Sequence, residues 1–161
     1  MAEATHTTDP GQADRGTTGS GGPGHARQLT VEIRSPDGPI WTGAAESVTV
    51  PGSKGSMGIL PRHAPLMSSL DVGLTRVREP GGKEHRFITG SGFVEVQRNR
   101  VLVLADFGDR PEAVDTERAR AARDRAIARL RPPQEAVDTT RAEAALARAL
   151  QRLKYAGQPR V

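Results

Sequence analysis

The chain contains no cysteine. That excludes a disulfide scaffold, thiolate zinc sites and a cysteine nucleophile. Its longest wholly apolar run is Val101 to Ala105, far short of the ~20 residues a membrane-spanning helix needs. Only Trp41, Phe87, Phe93, Phe107 and Tyr155 are aromatic, too few to build a base-stacking platform for single-stranded nucleic acid. The N-terminus has no basic stretch followed by an apolar one, so no secretory signal is visible. These absences point to a soluble intracellular chain. Its 161 residues fit one ordinary domain, or one small domain with an appendage.

The net charge of +4 is unevenly spread. Residues 1–28 carry two basic and three acidic side chains, and residues 29–108 carry nine and eight. Residues 109–161 carry twelve and eight, and eleven of those twelve are arginine. A surface that faces an anion or an acidic partner would need such an excess, although many charge runs are only solvated faces.

Residues 1–28 contain no Val, Ile, Leu, Phe, Trp or Tyr, but six Gly and five Thr. Nothing there offsets the ordering entropy, so a disordered tail is expected. Residues 29–108 read as an antiparallel β-sandwich. Leu29, Val31 and Ile33 alternate with polar residues, and Val48 and Val50 alternate again. Val72 to Arg78 returns through the Glu79–Lys83 loop into Arg86–Thr89, and Phe93–Gln97 turns at Arg98-Asn99 into Arg100–Leu104. The glycine-rich stretch Gly52–Gly58 lacks the Lys-Ser/Thr ending of a phosphate loop and reads as a tight loop between strands. Gly90-Ser91-Gly92 does not match a nucleophile elbow, because position 89 is Thr.

From residue 109 the period changes and Ala, Arg, Leu and Glu dominate. Residues 109–155 read as an antiparallel helical hairpin broken at Arg131-Pro132-Pro133, with a flexible end at 156–161. Asp115 caps the first helix; Thr140 with Glu143, or Asp138, caps the second. Residues 113–131 recur at an offset of 23, with twelve of nineteen positions identical, so both helices have similar faces. Arg118 and Arg125 share a stripe of the first helix, as Arg148 and Arg152 do of the second. Folding back brings Arg118 near Arg152 and Arg125 within about a turn of Arg148. Such a cluster is comfortable with an anion present, and arginine forks suit phosphate oxygens. The alanine seam buries little apolar area, as expected of an element that can detach.

The stretch Val48 to Leu66, with Gly52-Ser53-Lys54-Gly55-Ser56-Met57-Gly58 and Pro61-Arg62-His63-Ala64-Pro65-Leu66, resembles the epsilon subunits of bacterial F-type ATP synthases. Phe87–Val96 and Val101–Asp106 are similar to that family's later sandwich strands. The resemblance covers about residues 29–155. It implies a non-catalytic rotor subunit of the central stalk, peripheral on the cytoplasmic face of the bacterial plasma membrane. The implied partners are the gamma subunit and the c-ring, with the alpha and beta subunits when the hairpin extends and inhibits ATP hydrolysis. It places Ser56, Met57 and His63 in the region facing the c-ring; Ser56 stands where many members have an acidic residue. No cofactor is obligatory, but some members bind a regulatory ATP in the folded hairpin. Val114-Asp115-Thr116-Glu117-Arg118-Ala119 is similar to their motif, and the resemblance adds Asp109, Arg125, Arg148 and Arg152. The alternative from another class is a nucleic-acid-binding module led by the basic hairpin, against which its eight acidic residues argue.

Overall fold

The computed structural model describes residues 28–131 and 138–157. The expected disorder of residues 1–28 falls almost wholly outside them, as do the Pro132-Pro133 break and the last four residues. The sandwich is built from ten strands: β1 (Leu29–Ser35), β2 (Gly38–Ala45), β3 (Ser47–Gly52), β4 (Gly55–Ile59), β5 (Leu66–Leu70), β6 (Gly73–Arg78), β7 (Glu84–Thr89), β8 (Gly92–Gln97), β9 (Arg100–Ala105) and β10 (Gly108–Asp109). A 3-10 turn over Pro111–Ala113 leads into α1 (Thr116–Leu130) and α2 (Thr139–Tyr155).

The hydrogen-bonded order is β10-β7-β6-β3-β5-β8-β9-β1-β2, with β4 paired to β3. β3 is the corner between the two layers. Its first half, Ser47–Thr49, pairs with β6, while Gly52 pairs with Leu70 of β5. All the pairings are antiparallel except β1 with β9, which run parallel from Thr30↔Arg100 to Arg34↔Leu104. Alternation works as read in β1: Leu29, Val31 and Ile33 are buried. They join Val48, Val50, Ile59, Val77, Phe87, Val94, Val96, Val101 and Val103 in one core, to which the described residues of the hairpin contribute nothing.

One segment differs from the sequence reading, and at another the structure decides between two alternatives. Gly52–Gly58 is not a loop throughout. The turn itself is short, and Gly55–Ile59 is a strand, with Met57 half-buried against the core. At the second helix the Asp138 carboxylate, not a Thr140–Glu143 box, accepts the N–H of Arg141 at 3.0 Å. A carboxylate one residue before the helix outcompetes a hydroxyl inside it, because it meets the unpaired N–H groups and the positive end of the dipole together.

The β8–β9 turn is a two-residue hairpin with positive φ at Arg98 (49°) and Asn99 (62°), the conformation that suits the strand twist. The Asn99 side chain accepts the backbone N–H of Arg62 at 2.6 Å. Arg62 itself sits at φ 68°, where an L side chain crowds its own carbonyl and costs about 1 kcal/mol. Replacing Arg62 by Gly keeps that backbone hydrogen bond and removes the crowding. Allowing for the extra freedom glycine has when unfolded, we expect a gain of up to about 0.5 kcal/mol. Thermal unfolding should shift upward by a few degrees; a downward shift would mean the arginine side chain is itself stabilising there.

Candidate functional site

The hairpin folds back on itself through alanine. Ala119 and Ala126 of α1 and Ala142 and Ala149 of α2 are all buried. Small residues let the helices approach closely, and the start of α1 comes to lie beside the end of α2. A cavity of about 350 Å³ opens there, within the ~300–1,000 Å³ typical of small-molecule sites. Asp109, Val114, Asp115, Arg118, Arg125 and Arg152 contribute to its wall, with alanines completing it.

Five of the six residues named from the sequence therefore meet at one cavity. Arg148 is not among its lining residues, so the expected Arg125–Arg148 neighbourhood is not part of it. Arg148 directly precedes Ala149, which does line the cavity, so it stands beside the cavity's edge on α2 without contributing to its wall.

The cavity's carboxylates are both engaged. Asp115 caps α1, its Oδ1 accepting the N–H of Arg118 at 2.9 Å. The Asp109 Oδ2 accepts Arg152 Nε at 2.7 Å. Elsewhere on the hairpin the arginines pair locally: Arg120 with Glu117, Arg123 with Asp124, and Arg141 with its own cap Asp138. The guanidiniums of Arg118 and Arg125 have no hydrogen-bond or ion-pair partner among the described residues, although both line the cavity. Three arginines against two occupied carboxylates, beside the N-terminus of a 15-residue helix, make a site suited to a polyanion.

Phe107 was not singled out from the sequence. Its ring lies 4.5 Å from the guanidinium carbon of Arg152. The ring is seated on Gly90, where a Cβ would come within 2.7 Å of it. The Gly90-Ser91-Gly92 signal was legible as a strand break, but what the missing side chain makes room for was not.

The hairpin meets the sheet through α2. Leu74 of β6 and Ile88 of β7 are paired neighbours, buried yet outside the sandwich core. Asp109 is paired with Ile88. The N–H of Gly157 donates to the Pro111 carbonyl at 3.2 Å, joining the end of α2 to the entry of the hairpin.

The sandwich carries a second exceptional surface. Met67 (71% exposed), Phe93 (58%) and Leu104 (47%) are open to solvent. The register sets Ser69 opposite Phe93 and Phe93 opposite Leu104. With the two-residue alternation of a strand, all three point from one face. Ser56 and His63 are not brought together: Ser56 is exposed at the start of β4, and His63 lies in the loop beyond its far end. No described helix is long and apolar enough to cross a membrane.

Comparison with known proteins agrees with both halves of this architecture. Residues 28–110 match the family model of the ATP synthase delta/epsilon chain β-sandwich domain, and residues 112–157 that of its long α-helix domain. The ATP synthase epsilon chain of Desulfitobacterium hafniense (strain DSM 10664 / DCB-2) is 45% identical over 105 residues, covering 65% of this chain and 79% of that one. The epsilon chain of Shouchella clausii is 46% identical over 103 residues, 63% and 76% of the two chains. A chain of the Euglena gracilis mitochondrial ATP synthase, solved with its c-ring, shares the fold with a TM-score of 0.69 at 24% identity, over 89% of this chain and 88% of that chain. Sandwich, hairpin and their order in the sequence all agree: the chain belongs to the ATP synthase delta/epsilon family.

Proposed function

We propose that this member of the family is a rotor element without chemistry of its own, whose hairpin is a nucleotide-controlled brake on ATP hydrolysis. The family supplies the central-stalk role. The exposed Met67–Phe93–Leu104 face supports docking to a gamma subunit, because contiguous exposed apolar residues on a β-sheet mark an interface. Of Ser56, Met57 and His63, the exposed Ser56 at the start of β4 is offered to the c-ring, on the cytoplasmic side of the membrane, while Met57 packs half-buried against the core and His63 lies in the loop beyond β4.

The brake reading rests on one observation: two unpartnered arginines, Arg118 and Arg125, line the same cavity as Arg152. ATP is the ligand whose phosphates would neutralise that cluster. Since α1 and α2 both contribute, ATP binds the folded hairpin better than an extended one. A ligand shifts such an equilibrium only by its differential affinity for the two states, so ATP holds the hairpin away from the alpha and beta subunits.

Titration of the chain with ATP tests this. Replacing Arg118 or Arg125 by Ala removes one charged hydrogen-bond partner, worth ~1.5–3 kcal/mol, or on the order of tenfold to a hundredfold in affinity. Absence of measurable binding at millimolar ATP would defeat the nucleotide reading and leave the arginines as contacts to acidic surfaces of the catalytic subunits.

A further inference from the structure

Among the described residues, one buried polar side-chain atom has no hydrogen-bond partner: Oε1 of Gln151. Gln151 lies on α2. With Tyr155, one turn later, it lines a cavity of about 320 Å³ against Thr49, Leu74 and Arg76 of the sandwich. It therefore stands on the face of α2 that meets the sheet. Its neighbour in sequence is the reverse case: Leu150 is 47% exposed. At this point of the helix the apolar side chain faces water and the polar one faces the sheet, opposite to what packing alone would favour. Leu74, buried at the same cavity, has only an apolar side chain to offer the amide.

A carbonyl oxygen buried without a donor forfeits the hydrogen bonds that water gives it. That loss lasts only while α2 lies on the sheet; once the hairpin leaves, the Gln151 amide returns to water. We propose that Gln151 makes docking of the hairpin reversible: its orphaned carbonyl holds the docked state short of the stability an apolar residue would give it. An unpaired buried acceptor weighs about fivefold to a hundredfold in an equilibrium constant. That is a large share of a contact in which Leu74 and Ile88 are the buried apolar residues of the sheet. The tuning needs no nucleotide, and only its effect on hydrolysis rests on the brake reading above.

Hydrogen exchange of the α2 backbone amides, in the full chain without nucleotide, tests this. Helices of 15 and 17 residues are marginal by themselves, so these amides exchange when the hairpin leaves the sheet. Gln151→Met keeps the unbranched shape and the helix propensity but removes the polar oxygen. It should slow exchange at least fivefold. Gln151→Leu, an apolar residue of another shape, guards against a poor fit and should act in the same direction. Leu150→Gln, one position away on the solvent side, should change exchange less than twofold. Unchanged or faster exchange in both Gln151 variants would overturn the proposal, because the carbonyl would then be satisfied by water or contribute to docking. Slowing of equal size in Leu150→Gln would also overturn it, by tracing the effect to the helix and not to its docked face. In the assembled ATP synthase, Gln151→Met should weaken inhibition of ATP hydrolysis. Slower exchange with unchanged inhibition would uphold the role of Gln151 in docking and count against the brake instead.

Discussion

Cutting the chain before Pro111 is expected to leave a folded sandwich and an unbraked enzyme. The core is drawn entirely from strand residues, from Leu29 to Ala105, and no residue of α1 or α2 enters it. Removing the hairpin uncovers Leu74 and Ile88 on the outer face of β6 and β7. At ~25 cal/mol per Å² that costs a few kcal/mol at most, against a core that stays intact. The truncated chain should therefore retain a cooperative melt and still bind gamma through the Met67–Phe93–Leu104 face. If the hairpin is the brake proposed above, any inhibition of ATP hydrolysis by this subunit in the assembled ATP synthase should disappear with the helices. A truncated chain that melts normally yet fails to bind gamma would move that interface onto the hairpin. Hydrolysis that stays inhibited would place the brake in the sandwich.

Phe87→Ala should come close to unfolding the domain. Phe87 is the largest of the fully buried side chains. It lies on β7 and packs with Val77, Val94 and Val103 in a single core. Truncating a buried phenylalanine typically costs ~3–5 kcal/mol, from lost transfer energy and from the cavity left behind. A sandwich of this size has only ~4–12 kcal/mol to lose, at ~0.05–0.15 kcal/mol per residue. The lone tryptophan reports on the change. Trp41 lies 5.4 Å from the His85 ring, and His85 is stacked 6.4 Å from Phe87. Urea unfolding followed by Trp41 fluorescence should shift to a much lower midpoint. A loss below about 1 kcal/mol would mean that neighbouring valines collapse into the space.

The strands that could be read from the sequence were those whose inward positions are large and apolar. β1, with Leu29, Val31 and Ile33, and β9, with Val101 and Val103, announce themselves by period. β4 and β5 do not. In β4, glycine and serine hold most positions, and Met57 and Ile59 alone face the core. In β5 the pattern is inverted at one place: Ser68 is half-buried while Met67 points outward. An interface residue there spoils the alternation that marks a strand. β2 begins with Gly38-Pro39, turn residues that hide the strand behind them.

The cavity was partly legible for a related reason. Helical spacing puts Arg118 and Arg125 on one stripe, because that relation is local. Arg152 meets Asp109 across 43 positions, and no periodicity reaches that far. Its supporting ring, Phe107, depends on the empty space at Gly90, which is visible only once β7 and the segment after β9 lie side by side. Asp115 and Asp138 were legible as caps because a carboxylate three residues before an unpaired N–H acts within one turn.

The parallel pairing of β1 with β9 has a consequence for how the molecule is made. Thr30 finds Arg100, and Arg34 finds Leu104, so the first strand has no neighbour on that side until most of the sandwich has been synthesised. Until then β1 has only β2, and a two-stranded ribbon is marginal in water. The nascent chain must keep Val31 and Ile33 uncommitted while about seventy residues emerge. Such distant pairings close slowly, in milliseconds to seconds, and the waiting edge is open to other strands. The helical hairpin, whose contacts are local, needs no such delay. In the order of the chain this fast-folding element follows a sandwich that can close only after its ninth strand is made.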